Sequence, residues 1–253
     1  MTIRPLCEKL DWDSEFFGKS IARALLPSAV DAATCVAMIE WCESRDVDCL
    51  YVLSPFLDRD TIAALENAAF RLIDVRLTLE RPIRPPSELL KPPEQTDREF
   101  RIRSSRTADI PALRVIAGVS HRDTRFHHDG HFERERCDEL YATWIEKSCR
   151  GYADHVVVAE RAGMIAGYLS LHVDALDARI GLLGVDAAWR RHGIGSDLLD
   201  AGLAWLASRN VSTVSVVTPG RSVAAHSLYR KMGFKPSDTQ LWYHRWFDSD
   251  THR

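Results

Sequence analysis

Residues 178–217 read ARIGLLGVDAAWRRHGIGSDLLDAGLAWLASRNVSTVSVV, and this stretch decides the fold. It begins with a run rich in Ile, Leu and Val, which is typical of a buried strand that ends at Val185. An amphipathic segment then predicts a helix over 194–208, and a second β-branched run predicts a strand over 211–217. A strand, a helix and a strand in this order indicate a parallel crossover, so we expect an α/β fold.

The turn ahead of this helix predicts a binding site for a pyrophosphate. Gly193 and Gly195 allow the backbone to approach a ligand closely, and the start of a helix offers free N–H groups and a positive dipole end. Arg190 and Arg191 add positive charge beside them. A P-loop is excluded because its lysine is missing, and a dinucleotide fingerprint is disfavoured because Leu198 stands at its third glycine.

Two glycines, Gly181 and Gly184, interrupt the strand that precedes this turn. Glycine inside a strand often marks a bulge. A bulge here would separate the strand from its parallel neighbour and leave backbone N–H and C=O groups free to bind a ligand. We therefore expect a bulged strand beside the pyrophosphate site.

The remaining segments predict a mixed sheet flanked by helices. The turn over 161–163 joins two predicted strands, which indicates antiparallel pairing. Residues 72–80 alternate between apolar and polar, so Asp74 falls on a polar face, which is typical of a solvent-facing carboxylate. The Trp-rich strand 239–246 predicts packing and cover for a sheet edge. Further strands are predicted at 48–53, 99–103, 154–160 and 164–173, and further helices at 31–45, 59–69, 108–119, 133–149 and 222–232.

A proline-rich stretch divides the chain in two. Residues 81–99 read RPIRPPSELLKPPEQTDRE, and proline both stiffens such a stretch and denies it ladder donors. We expect a linker there, between a small α/β domain at 1–90 and a larger domain at 98–247.

Composition excludes several classes of protein. The 253 residues carry a net charge of −3, which gives no general attraction to nucleic acid or to an anionic membrane. No apolar run approaches the roughly 20 residues that span a bilayer, and the first residues lack the apolar region of a signal peptide. The six cysteines contain no CxxC pair, so we expect free thiols in the cytoplasm. The oligomeric state stays open, with a homodimer as one option.

A second motif follows the first. Residues 222–234 read SVAAHSLYRKMGF, and together with Arg-x-x-Gly-x-Gly at 190–195 they resemble the acetyl-CoA-binding motifs of the GNAT N-acetyltransferases. The family signature N-x-x-A-x-x-L-Y-x-K-x-G-F is matched except that Ser222 replaces the usual Asn. This resemblance covers residues 99–247. It implies the GNAT fold, a mixed and partly antiparallel sheet flanked by helices, with a smaller α/β domain before it.

The resemblance also implies a chemistry. Acetyl-CoA would be the co-substrate, no metal would be needed, and a backbone N–H near Val185 would polarise the thioester carbonyl. Tyr229 would be the general acid, because a phenol stays protonated at neutral pH; the alternative is a tyrosine of the core. The implied coenzyme-binding residues are Leu183, Val185, Arg190, Arg191, His192, Gly193, Ile194, Gly195, Ser196 and Ser222.

A narrower resemblance extends over nearly the whole chain. Segments LDWDSEFFGKSIAR, TRFHHDGHF, YATWIEKSCRGYADHVVVA and WYHRW are similar to the dTDP-fucosamine acetyltransferases, which acetylate the amine of a dTDP-linked 4-amino-4,6-dideoxy sugar. It implies substrate contacts from Arg125, Phe126 and His127, and a role for Asp74 in holding the amine or accepting its proton through water. The family pattern T-Q-x-x-N reads TPGRS at 218–222 here, which weakens the match at that point.

Three alternatives stay open at this stage. The acceptor could be another amine, of an aminoglycoside or a peptide. The chain could bind CoA as a sensor without catalysis. The four histidines of 121–131 could ligate a metal, although their spacing is unlike that of zinc motifs.

Overall fold

A computed structural model describes residues 6–26, 30–83 and 99–247 of the chain. Its strands are β1 Cys7–Lys9, β2 Ile21–Ala24, β3 Cys49–Pro55, β4 Arg71–Pro82, β5 Arg101–Ser104, β6 His155–Arg161, β7 Met164–Asp174, β8 Asp177–Val185, β9 Thr213–Pro219 and β10 Lys235–Trp246. Its helices are α1 Asp11–Phe17, α2 Ala32–Glu43, α3 Arg59–Asn67, α4 Ile110–Ser120, α5 Arg125–Asp129, α6 Arg134–Lys147, α7 Ile194–Ser208 and α8 Val223–Lys231.

These strands form a single sheet in the order β1-β2-β3-β10-β4-β9-β8-β7-β6-β5. The pairs β2–β3 and β8–β9 are parallel, and the other neighbouring pairs are antiparallel. The prediction of a mixed sheet with a parallel crossover through α7 is therefore confirmed.

The two halves of the chain interleave in this sheet. Strand β4 lies between β9 and β10, so a strand from before the proline-rich stretch is paired on both sides with strands from after it. The expectation that the last strand covers a sheet edge is wrong, because β10 lies inside the sheet between β3 and β4. The predicted linker falls largely outside the described residues, and the division into domains at 90 and 98 stays a prediction.

The predicted bulge in β8 is present. A shift in register leaves Gly181 and Leu182 opposite the single residue Ser170 of β7. The Leu182 N–H donates to the buried Ser170 Oγ at 2.8 Å, which satisfies one backbone group of the bulge. Pairing between β8 and β9 ends at Ile180 and Val216. Beyond that point the two parallel strands separate, and a gap opens at their carboxyl ends.

Helices cover both faces of the sheet. Neighbouring residues of a strand point to opposite faces, as Tyr168 and Leu169 of β7 do. Leu169 packs in a core that includes Leu198 of α7, while Tyr168 packs in a core that includes Leu113 of α4 and Leu140 of α6. We call these the α7 face and the α4–α6 face of the sheet. A third core joins α2 and α3 to β3 and β10.

Candidate active site

The turn before α7 has the backbone that a close approach to a ligand requires. Gly193 has a φ of 80° and Arg191 a φ of 67°, both in the left-handed region. A Cβ at Gly193 would meet no atom of the protein within 4 Å, so this side of the turn is open. The Ser196 N–H donates to the Gly193 carbonyl at 2.9 Å, and no side chain among the described residues caps the helix. The first amides of α7, those of Ile194 and Gly195, are the ones available to a phosphate.

The basic side chains of this turn are exposed. Arg190, Arg191 and His192 all face solvent. Arg190 Nε lies 3.3 Å from the carbonyl oxygen of Val185, so the turn is tied back to the end of β8. Ile194, in contrast, is 1% exposed and packs in the core, so only its backbone can contribute to binding. The structure thus brings the predicted coenzyme residues of 190–196 into one turn beside the end of β8.

The gap between β8 and β9 offers backbone donors. The Asp186 N–H donates to Ala166 and the Leu182 N–H donates to Ser170, so both point toward β7. Because the direction alternates along a strand, the N–H groups of Leu183 and Val185 point away from β7 and into the gap. These are the donors that a pantetheine chain or a thioester carbonyl needs, and the residues present therefore fit a bound acetyl-CoA.

Helix α8 lies directly against the start of α7. A Cβ at Gly195 would come within 3.0 Å of Leu228 Cδ2, so these helices pack too closely there for a larger residue. The next residue, Tyr229, is 5% exposed, and its ring packs edge-on against Phe234 at 5.4 Å. Burial raises the pKa of Tyr229, so its hydroxyl stays protonated at neutral pH. The side chain belongs to the core and also retains the proton that a general acid needs.

The outer side of α8 carries a cleft that the sequence did not predict. Its volume is about 370 Å³, and it is lined by Val223, His226, Ser227, Arg230 and Lys231. The His226 Nε2 atom is buried and has no hydrogen-bond partner among the described residues. Ser222, one residue before α8, has no side-chain hydrogen bond to the helix. The outer side of α8 therefore carries polar and basic side chains, and the buried His226 Nε2 atom has no hydrogen-bond partner among the described residues.

Asp74 lies on the α4–α6 face of the sheet. It stands opposite Trp242 in the β4–β10 register, and both side chains project from the same face. Asp74 is only 4% exposed, so the solvent-facing alternative is wrong. Its Oδ1 atom is 3.5 Å from Arg221 Nε. Burial raises the pKa of Asp74, and Arg221 opposes part of that rise. Such a carboxyl group can exchange a proton nearer to neutral pH than an exposed one.

Arg125 occupies a cage of aromatic rings on the same face. Its guanidinium carbon lies 4.1 Å from the ring centre of Tyr51, 4.0 Å from that of Phe126 and 4.4 Å from that of Trp242. Its Nη1 donates to His244 Nε2 at 2.9 Å. Within the described ranges, no carboxylate lies at ion-pair distance from it. A guanidinium that is fixed in this way and has no described carboxylate at ion-pair distance can bind an anion.

Two of the predicted substrate residues have other roles. Phe126 is 5% exposed and packs against Phe17 and Phe132, so it supports Arg125 from the core. His127 has both ring nitrogens engaged, one with Thr124 Oγ1 at 3.0 Å and one with Asp138 Oδ1 at 3.0 Å. Its side chain is 6% exposed, so it holds the loop together. Their predicted contact with a substrate stays a prediction.

Two other histidines of this loop, His121 and His131, also have protein partners. His121 Nε2 lies 2.8 Å from the Tyr168 hydroxyl, and His131 Nδ1 lies 2.6 Å from Asp129 Oδ1. Among the described residues, no group of three or more His, Cys, Asp or Glu side chains could hold a metal ion. All six cysteines are free thiols.

Comparison with known proteins adds an independent result. A family described as acetyltransferase (GNAT) domain matches residues 153–236. A dTDP-fucosamine acetyltransferase from Escherichia coli O6:H1 is 31% identical over 248 residues, which make up 97% of this chain and 100% of that protein. The chain belongs to the GNAT family of N-acetyltransferases. The predicted family is thereby confirmed.

Two further relatives show how far the similarity extends. A mycothiol acetyltransferase from Clavibacter michiganensis is 35% identical over 138 residues, covering 54% of this GNAT acetyltransferase and 42% of its own chain. A solved GCN5-related N-acetyltransferase from Sphaerobacter thermophilus superposes with a TM-score of 0.68 at 15% identity, covering 95% of this chain and 76% of that one. This second likeness concerns the fold and confirms the GNAT architecture. No helix among the described residues is long and apolar enough to cross a membrane.

Several site residues of this acetyltransferase were missed by sequence reasoning. Tyr51, Trp242 and His244 form the surroundings of Arg125, and Arg221 faces Asp74. The aromatic residues of the last strand were a signal, since a cluster of Trp, Tyr and His inside a sheet often surrounds a ligand or a cation. Their position next to β3 and β4 could not be read from periodicity.

Proposed function

We propose that this acetyltransferase moves the acetyl group of acetyl-CoA onto the primary amine of a 4-amino-4,6-dideoxy sugar carried by dTDP. The observation that carries the proposal is the 31% identity with the Escherichia coli dTDP-fucosamine acetyltransferase over 97% of this chain. That identity includes the N-terminal half, which supplies Tyr51 and Asp74 to the acceptor side of the site. A general GNAT activity would not need these residues.

Acetyl-CoA supplies its acetyl group as a thioester, and the chain offers a group for each part of the coenzyme. The amides of Ile194 and Gly195, with Arg190 and Arg191 beside them, suit the pyrophosphate. The N–H of Val185 points into the gap between β8 and β9, where it can donate to the carbonyl oxygen as negative charge develops there.

Two buried ionisable groups, Asp74 and Tyr229, would accept and donate the protons of the reaction. The acceptor amine must lose a proton before it attacks, and Asp74 can take that proton through a water molecule or hold the ammonium group. The Tyr229 hydroxyl holds the proton that the departing thiolate needs. No acyl-enzyme is required, because the amine attacks the thioester directly.

The nucleotide would be held at Arg125. Its guanidinium is fixed by three rings and has no carboxylate at ion-pair distance within the described ranges, so a diphosphate can supply the counter-charge. Arg122, the other arginine of this loop, donates to Asp138 Oδ2 at 2.7 Å and is already paired. The recognition of the diphosphate therefore falls to Arg125.

A second candidate function is acetylation of a different amine. The partial similarity to a mycothiol acetyltransferase, over 54% of the chain, favours an acceptor without a nucleotide. Arg125 favours the nucleotide-linked sugar, because it has no carboxylate at ion-pair distance within the described ranges and an acceptor without phosphate would supply no counter-charge.

The test offers a panel of acceptors to the enzyme with acetyl-CoA as donor and measures the release of the CoA thiol. The panel holds dTDP-4-amino-4,6-dideoxygalactose, its gluco epimer, the same amino sugar as a methyl glycoside, an aminoglycoside and a peptide amine. We expect kcat/KM to be highest for a dTDP-linked sugar and lower by roughly 100-fold for the methyl glycoside, which lacks the charged carrier. Turnover of the aminoglycoside or peptide alone would reject the sugar nucleotide and keep the acetyltransferase. Tight CoA binding without any turnover would favour the sensor.

A further inference from the structure

The carboxylate of Asp129 is completely enclosed and receives three donors. Its side chain is 0% exposed. The His131 Nδ1 lies 2.6 Å from its Oδ1, the Trp246 indole N–H donates to it at 2.9 Å, and His244 Nδ1 forms a short hydrogen bond with its Oδ2. Burial raises the pKa of Asp129, while these hydrogen bonds and the electrostatic attraction of His244 lower it, and the net shift is downward. The group is therefore an ionised acceptor inside the protein.

The partners of His244 define its tautomer. The ring is 1% exposed, and burial lowers its pKa to about 4, so it is neutral at physiological pH. A neutral imidazole has one donor nitrogen and one acceptor nitrogen. Nδ1 faces the Asp129 carboxylate, which can only accept, so Nδ1 carries the hydrogen. Nε2 faces Arg125 Nη1 at 2.9 Å, which can only donate, so Nε2 is the acceptor.

The same ring also limits where Arg125 can move. His244 stacks on Tyr51 with ring centres 4.4 Å apart, and Tyr51 in turn lies beneath the guanidinium. The guanidinium is thus restrained by rings across its faces and by one hydrogen bond at its edge. One of its five N–H groups donates to His244, and the guanidinium has further donors to offer an anion.

We propose that Asp129 and His244 are positioning residues for the acceptor: Asp129 holds His244 in the Nδ1–H tautomer, and the Nε2 lone pair of His244 fixes Arg125 for the diphosphate of the sugar nucleotide. This inference rests on the proposed function. The proposed role explains the buried charge of Asp129, which takes no direct part in the acetyl transfer. A buried ion that served stability alone would be a poor choice, since apolar packing at such sites is often as stable.

The decisive variant is Asp129→Asn, which keeps the shape of the side chain. The Asn amide can donate to Nδ1, which stabilises the other tautomer and turns an Nε2–H toward the donor on Arg125. We expect the KM for the dTDP-sugar to rise roughly tenfold, with kcat and the KM for acetyl-CoA within about twofold of wild type. His131→Ala is the matched control, because it removes another hydrogen bond from the same carboxylate without contacting Arg125. We expect its acceptor KM to stay at the wild-type value.

A double-mutant cycle separates positioning from stability. If Asp129 acts through Arg125, then Asp129→Asn adds no further rise in acceptor KM to the Arg125→Ala variant. Additive effects of the two substitutions on that KM would overturn the proposal. If Asp129→Asn does not fold, His244→Gln and His244→Phe replace it. Gln retains a hydrogen-bond acceptor near the position of Nε2, so this variant should keep most of its affinity for the dTDP-sugar, whereas the Phe variant should lose it. Equal KM values for the dTDP-sugar in these two variants would overturn the proposal.

A measurement without substrate keeps the two proposals distinct. Nitrogen-15 NMR of the histidine rings should show His244 as a neutral Nδ1–H tautomer in the wild type and as the Nε2–H tautomer in Asp129→Asn. An Nε2–H tautomer in the wild type rejects the positioning role whatever the substrate is. If the dTDP-sugar is turned over and Arg125→Ala leaves the KM for that sugar unchanged, the positioning role is also rejected, while the acetyltransferase function stands. No turnover of any dTDP-sugar rejects the proposed function together with the diphosphate at Arg125.

Discussion

At the coenzyme end of the site, Gly193 and Gly195 fall within one turn, and the start of a single helix orients the backbone around them. At the acceptor end, Tyr51, Arg125 and Trp242 come from three segments that are far apart in sequence. The first end is a local structure whose residue spacing predicts its geometry. The second exists only once the sheet is complete. We therefore expect substitutions at the coenzyme end to have local effects, and those at the acceptor end to act through their neighbours.

The largest effect is expected at the turn itself. Gly193→Val places a β-branched residue at a φ of 80° and a side chain in the open space where the ligand approaches. We expect the Kd for acetyl-CoA to rise roughly 100-fold or more, measured by calorimetry. Gly163→Val is the matched control, since Gly163 has a φ of 83° and equal open space in the turn between β6 and β7. The control should lose similar stability and retain affinity; unchanged affinity in folded Gly193→Val would remove the turn from the site.

The next largest effect is expected at Tyr229, the proposed proton donor to the departing thiolate of CoA. Tyr229→Phe keeps the buried ring and removes the hydroxyl, so kcat should fall about 100-fold while the KM for acetyl-CoA changes little. Tyr243→Phe, whose hydroxyl contacts Glu66 at 3.2 Å in the core beside α3, should leave kcat unchanged. A wild-type kcat for Tyr229→Phe, measured by thiol release, would return this residue to a packing role.

A third experiment uses the buried carboxylate of the acceptor end. Because burial raises the pKa of Asp74 above its unfolded value, the folded state holds a proton on this group more readily than the unfolded chain. Its contribution to stability is then greatest at acid pH and declines as pH rises through the folded pKa. At about pH 7, Asp74→Asn should raise the Tm by roughly 2 °C. It should also lower kcat about tenfold, most strongly at lower pH, where the acceptor amine is mostly protonated.

Asp109 provides a control for that experiment, because its pKa is shifted in the opposite direction to that of Asp74. Hydrogen bonds from Arg103 lower the pKa of Asp109, so its contribution to stability is present above the unfolded pKa and is lost as pH falls through the folded pKa. Asp109→Asn should therefore lower the Tm at about pH 7 and leave the pH profile of kcat unchanged. A parallel loss of Tm in both variants, measured by calorimetry, would contradict the assignment for Asp74.

The smallest effect is expected at Ser222, where the family signature has Asn. Ser222 makes no side-chain hydrogen bond to α8, so the longer amide of Ser222→Asn has room to reach a ligand. We expect the Kd for acetyl-CoA to fall about threefold. Ser237→Asn, at an exposed position near the start of β10, serves as control. A weaker or unchanged affinity in Ser222→Asn would show that this chain holds the coenzyme without that contact.

Much of the fold could be predicted because its signals are local. The glycines Gly181 and Gly184 correctly indicated the bulge, and the apolar spacing correctly indicated α7. Short elements such as β1, α1 and β2 were missed, since segments of three to seven residues hold at most about two periods of a pattern, which is too few to identify it.

The acceptor end could be predicted only in part. Asp74 and Arg125 were chosen through a family resemblance, but the alternation around Asp74 is compatible with a solvent-facing side chain. It is buried because β10 pairs beside it and brings Trp242 opposite. Likewise, nothing in the spacing of Asp129 and His244 shows that they meet, since the register of β10 decides it. Long-range strand pairing is the information that local pattern lacks.

The interior position of β10 has a consequence for how the chain reaches its native state. Strands β3 and β4 end at Pro55 and Pro82, but the strand that joins them does not begin until Lys235. During synthesis from the N-terminus, the edges of β3 and β4 that pair with β10 stay unpaired while more than half of the protein is made. Contacts so distant in sequence slow folding and expose unpaired edges to aggregation. We therefore expect the acceptor end to be the last part of the enzyme to form, and expression at low temperature or with chaperones should improve its yield more than any substitution at the coenzyme turn.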